Sequence, residues 1–174
     1  KSIMSKQVTL TIDGKQATVP DGTYVADAAK MVGIDIPVFC HHPKLEPVGM
    51  CRMCLVEIGR PMLDRATGQV VMDNGQPKIQ FMPKLETACT NRVSEGMVVM
   101  TTTDKATEGQ KGTVEFLLTS HPLDCPVCDK GGECPLQNLT MAFGPGNSRF
   151  SYDEKQHLEK QVPLGELIWL DRER

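Results

Sequence analysis

From residue 8 to residue 12 apolar and polar side chains alternate, V-T-L-T-I, which is the pattern of a half-buried strand. Asp13-Gly14 then supplies a hairpin turn, and residues 16–20 form a second short strand. After Asp21-Gly22-Thr23, with Thr23 as the expected N-cap, the period changes. Val25, Ala28, Ala29 and Val32 recur at helical spacing, predicting a helix from about Tyr24 to Val32 with its apolar face toward a core. Gly33 is placed to close it. Residues 34–50, with Pro37, Pro43 and Pro47, read as a loop. A strand is expected at 53–58, an excursion at 59–83 with its own turn at Asp73-Asn74-Gly75, a return to the core at 84–90, and a last strand at 97–102.

Two hairpin strands, a helix, a loop and further strands define an α+β domain over residues 1–103. A helix packed across a small mixed sheet, the β-grasp arrangement, accounts for that order. The pattern changes at residue 104. Thr103 or Asp104 can cap a helix running to about Thr119, and Pro122 stops it. A shorter helix is expected after Cys134, with Pro135 in its first turn, Leu136, Leu139 and Phe143 clustered, and Gly144-Pro145-Gly146 ending it. Residues 104–146 therefore read as a small, mainly helical second domain. Residues 147–174 form a tail of mixed charge with one mostly apolar stretch, 164–170.

Composition changes the picture in one respect. Aromatic residues are 5% of the 174, so two small cores would gain from cross-links, and the chain has seven cysteines. An odd count, with two C-x-x-C pairs, favours metal ligation over a disulfide framework. The net charge of −3 and the lack of a basic stripe argue against a nucleic-acid partner. No secretory signal pattern opens the chain, and no run approaches the roughly 18 apolar residues of a membrane span. The expected setting is cytosolic, or matrix-like for an organelle, with any membrane association through a partner.

Cys40, Cys51, Cys54 and Cys89 are spaced C-x10-C-x2-C-x34-C. Two irons bridged by two sulfides need four protein thiolates, and soft sulfur ligands suit iron. The spacing follows the logic of the plant-type C-x4-C-x2-C…C pattern with a longer first gap, so residues 40–51 must bulge outward. A zinc site from Cys51, Cys54, Cys125 and Cys128 is the competing reading, and it leaves Cys40, Cys89 and Cys134 without roles. His41 and His42 are candidate ligands of a mixed site, but four cysteines already suffice, and an exposed loop histidine is the simpler reading for both.

The segment from His121 to Gln137 reads H-P-L-D-C-P-V-C-D-K-G-G-E-C-P-L-Q. His121, Cys125, Cys128 and Cys134 offer three thiolates and an imidazole, the four external ligands that a four-iron cubane needs. A three-cysteine, one-histidine zinc knuckle competes, as does a structural role for His121 at a helix end. Gly131-Gly132 permits close backbone approach and is positioned to aim N–H groups at cluster sulfurs. Asp124, Asp129, Lys130 and Arg52 lie beside the ligands, where ordinary solvated charge is the simpler reading.

Together P-V-F-C at 37–40, G-M-C-R-M-C at 49–54, A-C-T at 88–90 and the 121–137 segment resemble the large iron–sulfur subunit of NADH:quinone oxidoreductase, respiratory complex I. The resemblance spans nearly the whole chain. It implies a ferredoxin-type domain with a [2Fe–2S] cluster on Cys40, Cys51, Cys54 and Cys89, and a [4Fe–4S] cluster on His121, Cys125, Cys128 and Cys134. It also implies one-electron relay from a partner flavin and NADH subunit, among other iron–sulfur subunits, toward quinone. In that family a segment like 170–174 leads into another cysteine-rich domain with further clusters. The chain is accordingly read as part of a longer polypeptide, peripheral to the membrane through its complex. The same front end resembles diaphorase subunits of NAD-linked hydrogenases and of some formate dehydrogenases. No G-x-G-x-x-G is present, and no residue stands out as a general base or nucleophile, so no complete active site is expected.

Overall fold

The structure is a computed structural model that describes residues 6–154 and 161–170. Residues 171–174, where a lead into a further domain was expected, lie outside the described residues. The chain divides into two compact units, Lys1–Gln110 and Lys111–Arg174.

In the first unit β1 (Gln7–Ile12) and β2 (Lys15–Pro20) form an antiparallel hairpin in full register. Asp13 and Gly14 both have positive φ, +44° and +80°, the backbone that a two-residue hairpin turn requires. Helix α1 (Val25–Met31) follows, then β3 (Leu55–Pro61). A small hairpin of β4 (Met72–Asp73) and β5 (Gln76–Pro77) turns at Asn74-Gly75. β6 (Ile79–Phe81), β7 (Glu86–Thr87) and β8 (Val98–Met100) complete the set. The mixed sheet runs β2-β1-β8-β3-β6, with β7 paired to the start of β3. β1 and β8 are parallel, and the other pairs are antiparallel. The fold is α+β, as expected.

One face of the sheet is dry. Leu10, Ile12, Val19, Val56, Ile58 and Val99 are at most 1% exposed and pack in one cluster with Val25, Ala28 and Ala29 of α1. Each fully buried Leu or Ile contributes about 1.5–3 kcal/mol. Cys54 and Cys89 belong to the same core, so two of the candidate ligands are anchored by the apolar packing itself.

The helix ends show where local rules hold. Gly33 has φ +73°, and its N–H donates to Lys30 O (3.1 Å) while Ile34 N–H donates to Ala29 O (2.9 Å). That is a Schellman closure. Thr23, expected to cap the start, does not. Its hydroxyl donates to Pro20 O (2.7 Å), and Tyr24 occupies the N-cap position without a side-chain cap. The first helical N–H groups find other partners: Val25 N–H donates to Asn91 O (2.9 Å) and Ala26 N–H to Ala88 O (3.0 Å).

Three strand expectations need correction. β3 begins at Leu55 rather than 53, because residues 51–54 form a turn with Arg52 at φ +64°. The excursion does not leave the sheet at 59. Gly59, Arg60 and Pro61 pair with Phe81, Gln80 and Ile79, so β6 extends the sheet. Gly59 permits this approach, since a Cβ there would lie 2.5 Å from Ile79 Cγ2. The last strand ends at Met100 rather than 102, and Thr101 N–H instead donates to Asp13 Oδ1 (2.8 Å).

Helix α2 (Asp104–Leu118) is capped by Thr103, whose hydroxyl accepts from Ala106 N–H at 3.2 Å. In the second unit α3 (Pro135–Phe143) has proline at its first turn. Glu115 and Arg149 make a two-pronged ion pair, both bonds 2.6 Å. The 164–170 stretch supplies the turn and second strand of a small hairpin, β9 (Val162–Pro163) with β10 (Trp169–Leu170), and its apolar side chains are mostly exposed. Among the described residues, no helix is long and apolar enough to cross a membrane.

Replacing Gly33 by Ala forces a side chain into left-handed backbone, which costs roughly 1–2 kcal/mol. Chemical denaturation of the Gly33→Ala variant should show a loss of that size, with an unchanged denaturant slope.

Candidate metal centres

The four cysteines of the first set come from three places. Cys40 and Cys51 bracket the proline-containing loop after α1, Cys54 immediately precedes β3, and Cys89 follows β7. The sheet joins the last two directly, since Ala88 N–H donates to Cys54 O at 2.9 Å. The loop lies on the Cys89 turn through Gly49. Its φ is +60°, and a Cβ there would meet Thr90 Cγ2 at 2.8 Å. The Cys89 turn is itself braced. Asn91 Nδ2 donates to Thr87 O (3.0 Å), Arg60 reaches Asn91 Oδ1 (3.3 Å) and Glu86 Oε2 (3.5 Å), and the Thr87 and Thr90 hydroxyls are hydrogen-bonded.

Within this frame the sulfurs form two pairs. The Cys40 thiol interacts with that of Cys51, and the Cys89 thiol interacts most strongly with that of Cys54. Backbone N–H groups point at the first pair: Cys51 N–H at Cys40 Sγ (3.4 Å) and Met53 N–H at Cys51 Sγ (3.4 Å). The left-handed Arg52 between the two bends the chain at that turn.

The electrostatics follow. Burial pushes the Cys89 thiol up to about 12, helped by its contact with Cys54 and by the charges of Cys54, Cys40 and Cys51. Burial also raises Cys51, against the Met53 and Cys40 backbone groups that favour its thiolate. For Cys40 burial again acts upward, but N–H donors from Cys51 and Met50 outweigh it and hold the thiol below its ordinary value. Four thiolates crowded here repel one another, and a cationic centre among them would remove that penalty. Among the described residues, no group of three or more His, Cys, Asp or Glu surrounds a position for a single metal ion.

The second set occupies one short stretch. Cys125 opens a single 3-10 turn, Cys125–Val127, Cys128 ends it, and Cys134 is the N-cap residue of α3. Cys125 is exposed, whereas His121, Cys128 and Cys134 are half-buried. Gly131 is required by close packing, because a Cβ would lie 3.0 Å from Cys125 O and 3.1 Å from Cys128 O. The expectation that this Gly-Gly pair aims its N–H groups at sulfurs is not met. Gly131 N–H donates to Cys128 O (2.9 Å), and Gly132 N–H to Gln137 Oε1 (3.1 Å). The donor set, three thiols and an imidazole with three of the four half-buried, has the chemistry of a cubane site.

One feature escaped the sequence. His41, expected to be an exposed loop histidine, has an imidazole that is 5% exposed, with Nε2 3.9 Å from Asp27 Oδ1 on α1. Only the fold brings these positions together. His42 is exposed, and its Nδ1 accepts from Lys44 N–H at 3.2 Å.

Residues 5–104, more than half of the chain, match the model of the 2Fe-2S iron-sulfur cluster binding domain, and the chain belongs to that family. Residues 110–149 match the NADH-ubiquinone oxidoreductase-G iron-sulfur binding region, of the 4Fe-4S kind. The chain thus carries one 2Fe–2S and one 4Fe–4S cluster-binding segment.

The chain is 42% identical over 180 residues to NADH-quinone oxidoreductase subunit 3 of Thermus thermophilus, covering 96% of this chain and 23% of that protein. It is 47% identical over 169 residues to a NADH-quinone oxidoreductase subunit of Streptomyces coelicolor, covering 96% and 17%. Against the mitochondrial NADH-ubiquinone oxidoreductase 78 kDa subunit of Candida albicans it is 38% identical, covering 93% and 20%. The chain therefore spans about a fifth of these relatives. Among solved structures, an NAD+-reducing [NiFe]-hydrogenase in the H2-reduced state superposes with a TM-score of 0.71 at 27% identity, covering 94% of this chain and 59% of that one. The resemblance read from the cysteine motifs is the one these relatives display.

In the metal-free chain at pH 8, alkylation followed by mass spectrometry should label exposed Cys125 well before Cys54 and Cys89. Cys89 should be the slowest, because a thiol raised to about 12 holds little of the reactive thiolate.

Proposed function

We propose that this chain is the electron-relay portion of a NADH:quinone oxidoreductase subunit, passing electrons one at a time from a flavin and NADH partner toward quinone. Cys40, Cys51, Cys54 and Cys89 hold a [2Fe–2S] cluster in a β-grasp, ferredoxin-type domain spanning 1–103. His121, Cys125, Cys128 and Cys134 hold a [4Fe–4S] cluster in the domain spanning 104–146, and 147–174 leads onward to the rest of a longer protein with further clusters. When bound, the clusters supply one-electron carriage, and the chain contributes no general base or nucleophile.

The observation that carries this reading is the pairing of thiols, Cys40 with Cys51 and Cys54 with Cys89, inside a matched 2Fe-2S segment. A two-iron core needs two thiolates per iron, and the pairs supply them. The residues then have separable tasks. The core fixes Cys54 and Cys89, while N–H groups of Cys51 and Met53 orient the sulfurs of the more accessible pair and favour their charged form. In the second domain, neutral imidazole in place of a fourth thiolate removes a negative charge and raises the reduction potential. The other subunits of the complex are the partners, and the location is peripheral to the membrane on the cytoplasmic or matrix side. The similarity to an NAD+-reducing hydrogenase favours a second reading, the diaphorase iron–sulfur subunit of a hydrogenase or formate dehydrogenase, in which the same residues serve the same relay.

Anaerobically produced protein should contain about six irons and six acid-labile sulfides per chain, from one cluster of each kind. After dithionite reduction it should show two separable EPR signals, and His121→Ala should weaken only the four-iron one. Colourless protein with zinc and no sulfide would replace the relay with a zinc-stabilised module.

A further inference from the structure

We propose that His41 and Asp27 form a positioning pair that sets the Cys40 half of the two-iron site against helix α1. The inference rests on the two-iron reading above. His41 directly follows Cys40. Its side chain is 5% exposed, and both ring nitrogens are buried without a hydrogen-bond partner. A buried polar group without a partner weakens a fold, and an apolar side chain of the same size fills such a space at lower cost. An imidazole kept there has a use for its nitrogens. The polar group facing it is Asp27 Oδ1, 3.9 Å from Nε2.

Asp27 lies in the first turn of α1, and that turn is already tied to the opposite end of the site. Val25 and Ala26 donate to Asn91 O and Ala88 O, on either side of Cys89. One helical turn is therefore bonded to the Cys89 segment through backbone N–H groups, and its carboxylate faces the buried imidazole after Cys40 at 3.9 Å. Cys40 and Cys89 are the most distant cysteines of the set in sequence, and they belong to different thiol pairs. Tying both to one rigid turn sets the separation of the pairs, the dimension that a bridged two-iron core must match. The second ring nitrogen is left as a polar group beside the Cys40 segment. A donor at that place favours the reduced, more negative state.

The test uses the whole chain, loaded with iron and sulfide anaerobically, with EPR and a redox titration as readouts. His41→Leu should keep both clusters, move the g values of the two-iron signal and lower its midpoint, so that the reduced fraction at the wild-type midpoint falls several-fold. His41→Gln, which keeps a donor of similar reach, should restore the wild-type signal. Asp27→Asn should also move the two-iron g values, and none of the three should move the four-iron signal. Unaltered g values and midpoint in His41→Leu would overturn the pair, as would a Gln variant as perturbed as the Leu one. Should His41→Leu fail to retain iron, Asp27→Asn at a half-exposed position decides, and an unchanged signal overturns the proposal. Absence of any two-iron signal in the unmodified chain would sink the two-iron reading itself and the inference with it.

Discussion

Bringing four sulfurs together on the flank of a small apolar core is the constraint on which the first unit depends. Thiols are small and weakly polar, so Cys54 and Cys89 pack among Val25, Ala29 and Val56 without difficulty. Their thiolates are another matter. Burial and mutual repulsion act against ionisation, most strongly at Cys89, so the site is adapted to a cationic core that offsets the charge. The same core that stabilises the fold thereby holds half of the candidate ligands at fixed positions. The other half, Cys40 and Cys51, sits on a loop whose order comes from its contacts with the Cys89 turn and from N–H groups aimed at sulfur.

The topology serves this arrangement. The parallel pairing of β1 with β8 joins the first hairpin, through β8, to β3, the strand that starts immediately after the C-x-x-C turn. β7 pairs with the start of β3, and Ala88 bonds directly to Cys54. Helix α1 lacks a side-chain N-cap and uses carbonyls of the Cys89 segment in its place. Helix stability and site geometry are then one set of interactions, and damage to either reaches the other. The second unit is built more locally. Its candidate ligands fall within a short turn and the cap of α3, with Gly131 letting the backbone close on itself.

Features governed by local chemistry were legible in the sequence. The Asp13-Gly14 turn, the apolar face of α1, the Gly33 closure and the proline start of α3 follow from backbone preferences that act within a few residues. Features set by distant contacts were not. Thr23 looks like a cap until the Ala88 and Asn91 carbonyls are seen to occupy the helix start. Residues 59–61 look like loop because Gly and Pro are poor strand formers, yet the missing Cβ of Gly59 is what admits Ile79 and Phe81. The spacing of the cysteines and His121 singles them out as candidate ligands, with zinc sites competing, because metal chemistry limits ligand type and number. The thiol pairing and the burial of His41 needed the fold, since they join residues far apart in the chain.

The central claim is that the first four cysteines hold two irons as two thiol pairs. X-ray absorption at the iron and zinc edges tests it most directly, on a variant with His121, Cys125, Cys128 and Cys134 all replaced by Ala so that only the first set remains. The expected result is iron with an all-sulfur coordination shell and a second iron as nearest metal neighbour, and no zinc above background. A zinc edge with four sulfur neighbours, or iron without an iron neighbour, would contradict it.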